Sequence, residues 1–260
     1  MHVATNELQG VAGTVKVLPQ VWSPERGNAR DIYVYLPPSY EASDRRYPVV
    51  YMKDGQNLFD ASMSFGAEWQ VDEHMERLSR LGLEAIIVGV PNAGEARLDE
   101  YSPFRDAQHG GGAGDEYLDF VVRTLKPLVD GQFRTNPERT HTGIAGSSMG
   151  GLLSLYAFFT RPEVFGFAAV MSPALWFAGR AIFGRVEEAP FAEGRLYLDV
   201  GTGEGEQTVE DVRRMHALLA AKGYRPGETM MYVEEDGADH SEEAWARRVR
   251  TALYYLIPAG

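Results

Sequence analysis

The stretch Gly146-Ser147-Ser148-Met149-Gly150 decides which fold the sequence predicts, because it has the pattern G-x-S-x-G. An apolar, strand-like run ends at Ala145 and a helix-like run begins near Met149, so the pentapeptide falls on a strand-to-helix turn. A serine on such a turn has strained backbone angles, and the neighbouring glycines leave room for the turn and for a substrate. The pattern therefore predicts that Ser148 is a nucleophile.

The runs on either side of this turn predict the elements around it. Apolar, β-prone runs indicate eight strands, at residues 13–21, 30–36, 48–52, 84–90, 140–145, 167–171, 195–200 and 229–233. Helical spacing of apolar residues appears in five segments, at Val71/Met75/Leu78, Leu118/Val121/Val122/Leu125, Leu152/Leu155/Tyr156/Phe159, Val209/Val212/Met215/Leu219 and Trp245/Val249.

The order of these elements predicts the fold class. The early strands follow one another directly, whereas the later strands alternate with helices. This order is typical of antiparallel strands that lead into a parallel, doubly wound sheet, which is the α/β-hydrolase arrangement. We expect an α/β protein with a central, mostly parallel twisted sheet of about eight strands and helices on both faces.

Composition limits the organisation and the partners of the chain. The 260 residues contain no linker-like stretch, charge run or internal repeat, so we expect a single domain over residues 1–260. The formal net charge of −12 argues against binding to nucleic acid or to an anionic membrane, and favours small-molecule partners. Because the sequence has no cysteine, disulfides, a thiol nucleophile and thiolate metal ligands are excluded.

Two stretches of the sequence bear on secretion and on membrane insertion. Residues 1–7 lack the basic and apolar regions of a secretory signal, so we expect a cytoplasmic protein. Residues 140–160 carry no Asp, Glu, Lys or Arg and approach the length of a membrane span. Glycines and the Ser147-Ser148 pair interrupt the middle of that stretch, so a buried strand followed by a buried helix is expected instead.

A nucleophilic serine needs a general base. In this fold the acid and the histidine follow the serine in the chain, which leaves His216 and His240. His216 lies on the apolar stripe of a predicted helix, where a packed side chain is expected. His240 follows the last predicted strand in a polar loop, at the edge of the sheet where sites form, and is our candidate base. An exposed loop histidine or a helix cap is the alternative for His240.

The base needs a carboxylate that holds its ring in the right tautomer. The segment after the strand at 195–200 offers Asp199, Glu204 and Glu206. Asp199 lies within the strand, whereas Glu204 and Glu206 lie in the glycine-containing turn where the acid belongs. We place Glu204 first and keep the other two as alternatives.

Two backbone N–H groups are needed to stabilise a tetrahedral oxyanion. The residue after the nucleophile supplies one, which is Met149, and the loop after the third strand supplies the other. That loop turns at residues 54–55, an Asp-Gly pair, so the Gln56 N–H is the second candidate. A simple Asp-Gly turn is the alternative.

Five ordered segments resemble one family. They are Tyr35-Leu36-Pro37-Pro38, Met52-Lys53-Asp54-Gly55-Gln56-Asn57, Gly146-Ser147-Ser148-Met149-Gly150-Gly151, Gly201-Thr202-Gly203-Glu204, and His240 followed by Trp245. The combination resembles the esterase D/enterochelin-esterase-like group of α/β-hydrolases, which includes siderophore, feruloyl and acetyl-xylan esterases, S-formylglutathione hydrolases and mycolyltransferases.

This resemblance implies a function and a site. It implies a serine carboxylic-ester hydrolase that acts on a small soluble ester, of siderophore type or with a short-chain or aryl acyl group. Ser148 would be the nucleophile, His240 the base, Glu204 the acid, and Gln56 and Met149 the oxyanion donors. No metal or organic cofactor is required. An acyltransferase with the same residues and a non-catalytic binding protein on the same fold are the alternatives.

Four side chains are candidates for the substrate pocket. Trp69, Tyr101 and Trp176 lie after strands or near helix starts and could form its walls. Arg97 could meet an anionic substrate group, or tie down its own loop through Asp99 or Glu100. The glycine-rich loop at 109–114 could be a mobile flap or a passive connector. Oligomeric state cannot be read from the sequence.

Overall fold

The computed structural model describes residues 5–258. Residues 1–4, on which the prediction of no secretory signal largely depends, and residues 259–260 lie outside the described part. Nine strands form one sheet, and two more form a small hairpin. The strands are β1 Asn6–Glu7, β2 Thr14–Ser23, β3 Asn28–Leu36, β4 Val49–Lys53, β5 Ile86–Val90, β6 Arg105–Asp106, β7 Gly110–Gly111, β8 Thr142–Ser147, β9 Phe167–Met171, β10 Arg195–Gly201 and β11 Met230–Glu235.

The sheet confirms the predicted order of antiparallel and parallel strands. Its strand order is β1-β2-β3-β5-β4-β8-β9-β10-β11. β1, β2 and β3 pair antiparallel, as do β3 and β5, and every later pair is parallel. All eight predicted strands are present, and the ninth strand, β1, is a two-residue addition at the edge. A run of two residues is too short to give a periodic signal.

Eight α-helices surround the sheet within the described residues. They are α1 Val71–Ser79, α2 Arg97–Glu100, α3 Gly114–Asp119, α4 Lys126–Gln132, α5 Met149–Thr160, α6 Phe177–Glu188, α7 Glu206–Lys222 and α8 Glu242–Leu256. A π-helical turn, Phe120–Leu125, joins α3 to α4. Four of the five helical patterns lie within α1, α5, α7 and α8, and the fifth, at residues 118–125, runs from α3 into the π-helical turn.

α6 is the longest helix that the sequence did not predict. Ala178, Gly179 and Arg180 all have positive φ angles, so the backbone is not helical near its start. A helix is predicted from a regular helical spacing of apolar residues, and the non-helical residues interrupt that spacing.

The core has two apolar layers, one on each face of the sheet. α1 and α8 cover one face and pack against side chains such as Met52 and Tyr197. α3 to α7 cover the other face, where Val49 and Leu198 point. The alternation of adjacent strand residues between the two clusters shows that the parallel strands are buried on both sides.

The uncharged stretch at 140–160 forms β8 and α5, as predicted. Both elements are buried almost throughout, because α5 packs on the central strands and its sides meet other helices. Among residues 5–258, the helices are all too short or too polar to cross a lipid bilayer.

Candidate active site

Ser148 lies at the junction between β8 and α5 with strained backbone angles, φ 56° and ψ −120°. Glycines make this turn possible. A Cβ on Gly146 would lie 2.9 Å from the carbonyl carbon of Gly150, and one on Gly151 would lie 2.7 Å from the Met171 oxygen. The Ser148 N–H donates to that same Met171 oxygen at 3.0 Å. The strand, the helix and β9 therefore hold the serine in a conformation that non-glycine residues rarely adopt.

Three predicted side chains form a continuous hydrogen-bonded path. His240 Nε2 lies 3.0 Å from Ser148 Oγ, and His240 Nδ1 lies 2.6 Å from Glu204 Oε2. A carboxylate accepts hydrogen bonds, so Nδ1 carries the proton and Nε2 is left to accept one from the serine. The path has the order nucleophile, imidazole and carboxylate that proton transfer from a serine requires.

The loops that carry Glu204 and His240 pack directly against each other. The Gly203 N–H donates to the Ala238 oxygen at 2.9 Å, and the Gly237 N–H donates to Thr202 Oγ1 at 2.7 Å. A Cβ on Gly201 would lie only 2.2 Å from that Ala238 oxygen. Small residues after β10 therefore let the histidine loop come close enough for the carboxylate to reach the ring.

The Glu204 side chain is fully buried, with 0% of it exposed. Its Oε1 accepts from Ser172 Oγ at 2.6 Å and from the Gly201 N–H at 2.7 Å. Burial alone would raise the pKa of Glu204, but the hydrogen bonds from His240, Ser172 and Gly201 outweigh it and lower the pKa below its usual value. Glu204 is therefore held as a carboxylate at neutral pH.

A cluster of buried polar side chains holds the Glu204 carboxylate in place. Ser172 Oγ accepts from Arg248 Nη2 at 2.7 Å and from Trp245 Nε1 at 3.0 Å while it donates to Glu204. Arg248 is 3% exposed and its Nε also lies 3.2 Å from Asp199 Oδ2, at ion-pair distance but without hydrogen-bond geometry. The cluster fixes the orientation of the carboxylate and adds a cation near it.

The two alternative acids lie elsewhere. Asp199 is fully buried, accepts from the Ser172 N–H at 2.9 Å, and pairs with Arg248. Burial raises the pKa of Asp199 to about 6, even though Arg248 opposes the shift. Glu206 is the exposed first residue of α7. Of the three candidates, Glu204 is the one that contacts His240.

Gln56 and Met149 occupy the positions expected of oxyanion donors. Gln56 lies in a 3-10 turn, Gly55–Asn57, directly after β4, and Met149 is the first residue of α5. The turn packs tightly, because a Cβ on Gly55 would lie 2.4 Å from the Gly89 carbonyl carbon in β5. Gln56 and Ser148 line the same cavity. The donor role of both N–H groups stays a prediction.

An open cavity of about 670 Å³ lies over Ser148. This volume is in the range of small-molecule sites. Its lining contains both polar and apolar residues and consists of Asp54, Gln56, Asn57, Phe65, Pro91, Asn92, Gly94, Arg97, Ser147, Ser148, His240, Glu242 and Trp245.

Three of the four predicted pocket residues do not line this cavity. Trp69 and Tyr101 are at most 1% exposed: Trp69 packs on Trp245 at 5.8 Å between ring centres, and the Tyr101 hydroxyl accepts from the Asp54 N–H. Both rings are buried core residues, and neither is part of the cavity lining. Trp176 is exposed but lies against His109 at 5.6 Å, away from the cavity lining.

Arg97 does line the cavity, but its partner differs from both predicted ones. Its guanidinium binds Asp54 through two contacts of 2.8 Å, and Asn92 Nδ2 donates to the same carboxylate at 2.7 Å. Glu100 is buried and pairs with Arg30, and Asp99 Oδ1 accepts from the Gly111 N–H at 2.7 Å. Arg97 therefore fixes the loop after β4, and its charge is largely neutralised by Asp54.

The structure also shows where His216 and the glycine-rich loop at 109–114 lie. His216 stacks on Tyr232 at 4.2 Å and is half-buried, which confirms it as a packed residue. The glycine-rich loop forms part of the hairpin of β6 and β7, and Asp99 anchors it.

Several residues of the site were not predicted from the sequence. Ser172 follows β9 directly and Asn92 follows β5, so their places at strand ends could have marked them. Phe65 and Glu242 reach the cavity from a long loop and from the start of α8. No local pattern indicates that those two segments meet.

Comparisons with a family model and with known proteins point to the same family. Residues 23–256 match the Esterase family model, described as "Putative esterase". The uncharacterized protein YbbA of Bacillus subtilis is 26% identical over 247 residues, 90% of this chain and 95% of that protein. The siderophore triacetylfusarinine C esterase of Aspergillus fumigatus is 30% identical over 135 residues, 50% of this chain and 44% of that esterase.

The fold is also shared with solved structures. The crystal structure of the BES protein from Bacillus cereus superposes with a TM-score of 0.76 and 21% identity, and the match covers 99% of this chain and 100% of that one. At this level of identity the likeness shows a common fold, and it confirms the predicted fold class.

Proposed function

The chain belongs to the Esterase family of carboxylic ester hydrolases, and from this premise we propose that it cleaves a small ester through a Ser148–His240–Glu204 triad and an acyl-enzyme. The observation that supports the triad is the path of two short contacts, 3.0 Å from serine to imidazole and 2.6 Å from imidazole to carboxylate. The open cavity above Ser148 supports access of a small molecule to the hydroxyl.

In the first half of the reaction, Ser148 Oγ attacks the ester carbonyl while His240 Nε2 takes its proton. The carbonyl oxygen becomes an oxyanion and accepts hydrogen bonds from the Gln56 and Met149 N–H groups. Glu204, an ionised carboxylate, stabilises the imidazolium that forms. The tetrahedral intermediate then expels the alkoxide, which takes the proton from His240 and leaves as an alcohol.

In the second half, water replaces the alcohol. His240 takes a proton from the water as its oxygen attacks the acyl-enzyme carbonyl, and the same two N–H groups stabilise the second oxyanion. When the intermediate collapses, the bond to Ser148 Oγ breaks and His240 returns the proton to the serine. The acid product leaves, and the enzyme is regenerated.

We propose a siderophore-type or aryl ester as the substrate class. The siderophore triacetylfusarinine C esterase of Aspergillus fumigatus, which acts on a siderophore ester, matches half of this chain. The apolar residues of the lining, Phe65, Pro91 and Trp245, can pack against a ring or a short acyl chain. Hydrolysis rates across acetyl, butyryl, feruloyl and catecholate esters test this assignment, and similar kcat/KM for all four would contradict it.

The variant Ser148→Ala tests the proposed chemistry. Loss of a triad serine typically lowers the rate by a factor on the order of 10⁶. We therefore expect p-nitrophenyl acetate hydrolysis to fall to the level of the buffer, while the melting temperature stays near that of the wild type. Ser147→Ala, one residue earlier, is the matched control and should keep most of the activity. Turnover by Ser148→Ala close to the wild-type rate would refute the proposal.

A further inference from the structure

Glu242 is the acid of the cavity lining that has no ion-pair partner within residues 5–258. It is the first residue of α8 and is half-buried. Asp54, the other acid of the lining, pairs with Arg97 at 2.8 Å, whereas no Lys, Arg or His of the described chain lies at ion-pair distance from Glu242. With a neutral His240, the lining therefore carries one net negative charge, and that charge is on Glu242.

The Glu242 carboxylate is partly removed from water without a cation beside it. Burial raises its pKa, as do the Asp54 and Glu243 carboxylates, whereas the hydrogen bond from its own main-chain N–H and the charge of Arg97 lower it. Arg97 acts on it only from a distance, because its guanidinium is bound to Asp54. A cation bound next to Glu242 would offset the cost that burial imposes on the charged form.

An aromatic ring accompanies this carboxylate in the cavity. Phe65 also lines the cavity, and 80% of it is exposed. The next residue, Gly66, lies beside Glu242, since a Cβ on Gly66 would lie 3.0 Å from Glu242 Oε2. The Phe65 N–H donates to Asn57 Oδ1 at 2.8 Å, which fixes this segment to the turn after β4. A carboxylate and an aromatic face are the two kinds of group that attract organic cations.

We propose that Glu242 determines specificity by favouring esters that carry an ammonium group over uncharged esters of the same shape. This inference rests on the proposed function and narrows its substrate class. The ester carbonyl lies at Ser148, and the ammonium group lies by the Glu242 carboxylate and the Phe65 ring. Glu242 contacts no reacting atom, so its contribution is to substrate binding and changes KM more than kcat.

The test compares acetylcholine with its uncharged isostere, in which a carbon atom replaces the ammonium nitrogen. Acid release in a pH-stat at about pH 8, where carboxylates are ionised, gives kcat/KM for both esters. We expect the ratio of the two values, cationic over uncharged, to fall about 3- to 10-fold in Glu242→Gln. Because both rates come from one enzyme sample, a general loss of activity or of folded protein does not change the ratio.

Glu243→Gln is the matched control. It removes the charge of an exposed acid in the same helical turn, one that is not part of the cavity lining, and should keep the wild-type ratio. Two results would overturn the inference. One is a ratio in Glu242→Gln that equals or exceeds that of the wild type. The other is an equal fall in Glu243→Gln, which would assign the effect to the charge of the whole helix start.

Binding decides the question if the wild type cleaves neither ester of the pair. An NMR titration with benzyltrimethylammonium chloride should then give a Kd about 3- to 10-fold higher for Glu242→Gln than for Glu243→Gln. Equal Kd values for the two variants would overturn the cation site. Absence of p-nitrophenyl acetate hydrolysis by the wild type would count against the proposed function and not against this site.

Discussion

Ser148, His240 and Glu204 are far apart in the chain, but each could be predicted from its own neighbourhood. Ser148 carries a local signature, two glycines around a strand-to-helix turn. His240 and Glu204 follow from chain order and from their places after strands. The structure brings the three together because the turns after β10 and β11 are bonded to each other. Their catalytic roles stay predictions.

The pocket residues could not be predicted in the same way. Aromatic residues that follow strands pack in the core as often as they line a cavity. Trp69 and Tyr101 are core residues. Arg97 was expected to bind a neighbour in sequence, but its partner is Asp54, more than forty residues earlier. Long-range pairing of this kind depends on the packing of loops, which a local pattern does not encode.

Glu204→Gln tests the choice of acid at the residue scale. The amide keeps the size of the side chain but can present an N–H to Nδ1, which favours the wrong tautomer of His240. We expect kcat to fall by about 10² to 10⁴ with little change in KM. Glu206→Gln, a neighbouring acid on the exposed start of α7, is the matched control and should keep full kcat. A larger loss in Glu206→Gln than in Glu204→Gln would contradict the assignment.

At the scale of elements, the strands were predicted better than the helices. Continuous apolar runs mark buried parallel strands, and all eight expected strands occur within two residues of their predicted limits. α6 was missed because three residues with positive φ interrupt it. The short pieces β1, β6 and β7 were missed because two residues carry no period.

Gly143 in β8 tests the packing of the central strands. A Cβ on Gly143 would lie 1.9 Å from Cε2 of Phe167 in β9, so the ring occupies the space of a side chain. Gly143→Ala should reduce the free energy of unfolding by about 3 kcal/mol, measured by urea denaturation. Gly184→Ala is the control: that glycine lies in α6 with nothing within 4 Å of an added Cβ, so stability should hold or rise by up to about 1 kcal/mol. Equal effects of the two substitutions would refute this account.

At the scale of the whole molecule, sheet topology positions the site. The loops after β4, β8, β10 and β11 lie at one edge of a parallel sheet, and they carry Gln56, Ser148, Glu204 and His240 respectively. The fold class and this edge follow from the order of strands and helices. The shape of the cavity does not, because residues 58–70 and the start of α8 close it from outside the sheet.

Lys53 gives the whole molecule a predictable pH dependence. The side chain is 2% exposed, and burial lowers its pKa to about 7, although Asp54 opposes the shift; its Nζ donates to Ser154 Oγ at 2.8 Å. The unfolded chain therefore binds more protons than the folded one between about pH 7 and pH 10. Stability from this group rises as pH increases through that window.

The variant Lys53→Met isolates this effect. The difference in unfolding free energy, wild type minus variant, should grow by about 1 kcal/mol per pH unit between pH 7 and pH 10. Urea denaturation at four pH values measures it, and other titrating groups cancel in the difference. Ser154 keeps a partner in the variant, since its hydroxyl donates to the Gly150 oxygen. A difference that stays flat or shrinks across this range would contradict a neutralised buried lysine.

The central claim is that Ser148 is the residue that becomes acylated. The most direct measurement is peptide mass spectrometry after treatment with a fluorophosphonate, with residual p-nitrophenyl acetate hydrolysis followed on the same samples. We predict one adduct per chain, located on Ser148, that forms in parallel with the loss of activity and is absent from His240→Ala. An adduct on another residue that forms in parallel with inactivation, or full activity with Ser148 modified, would contradict the account.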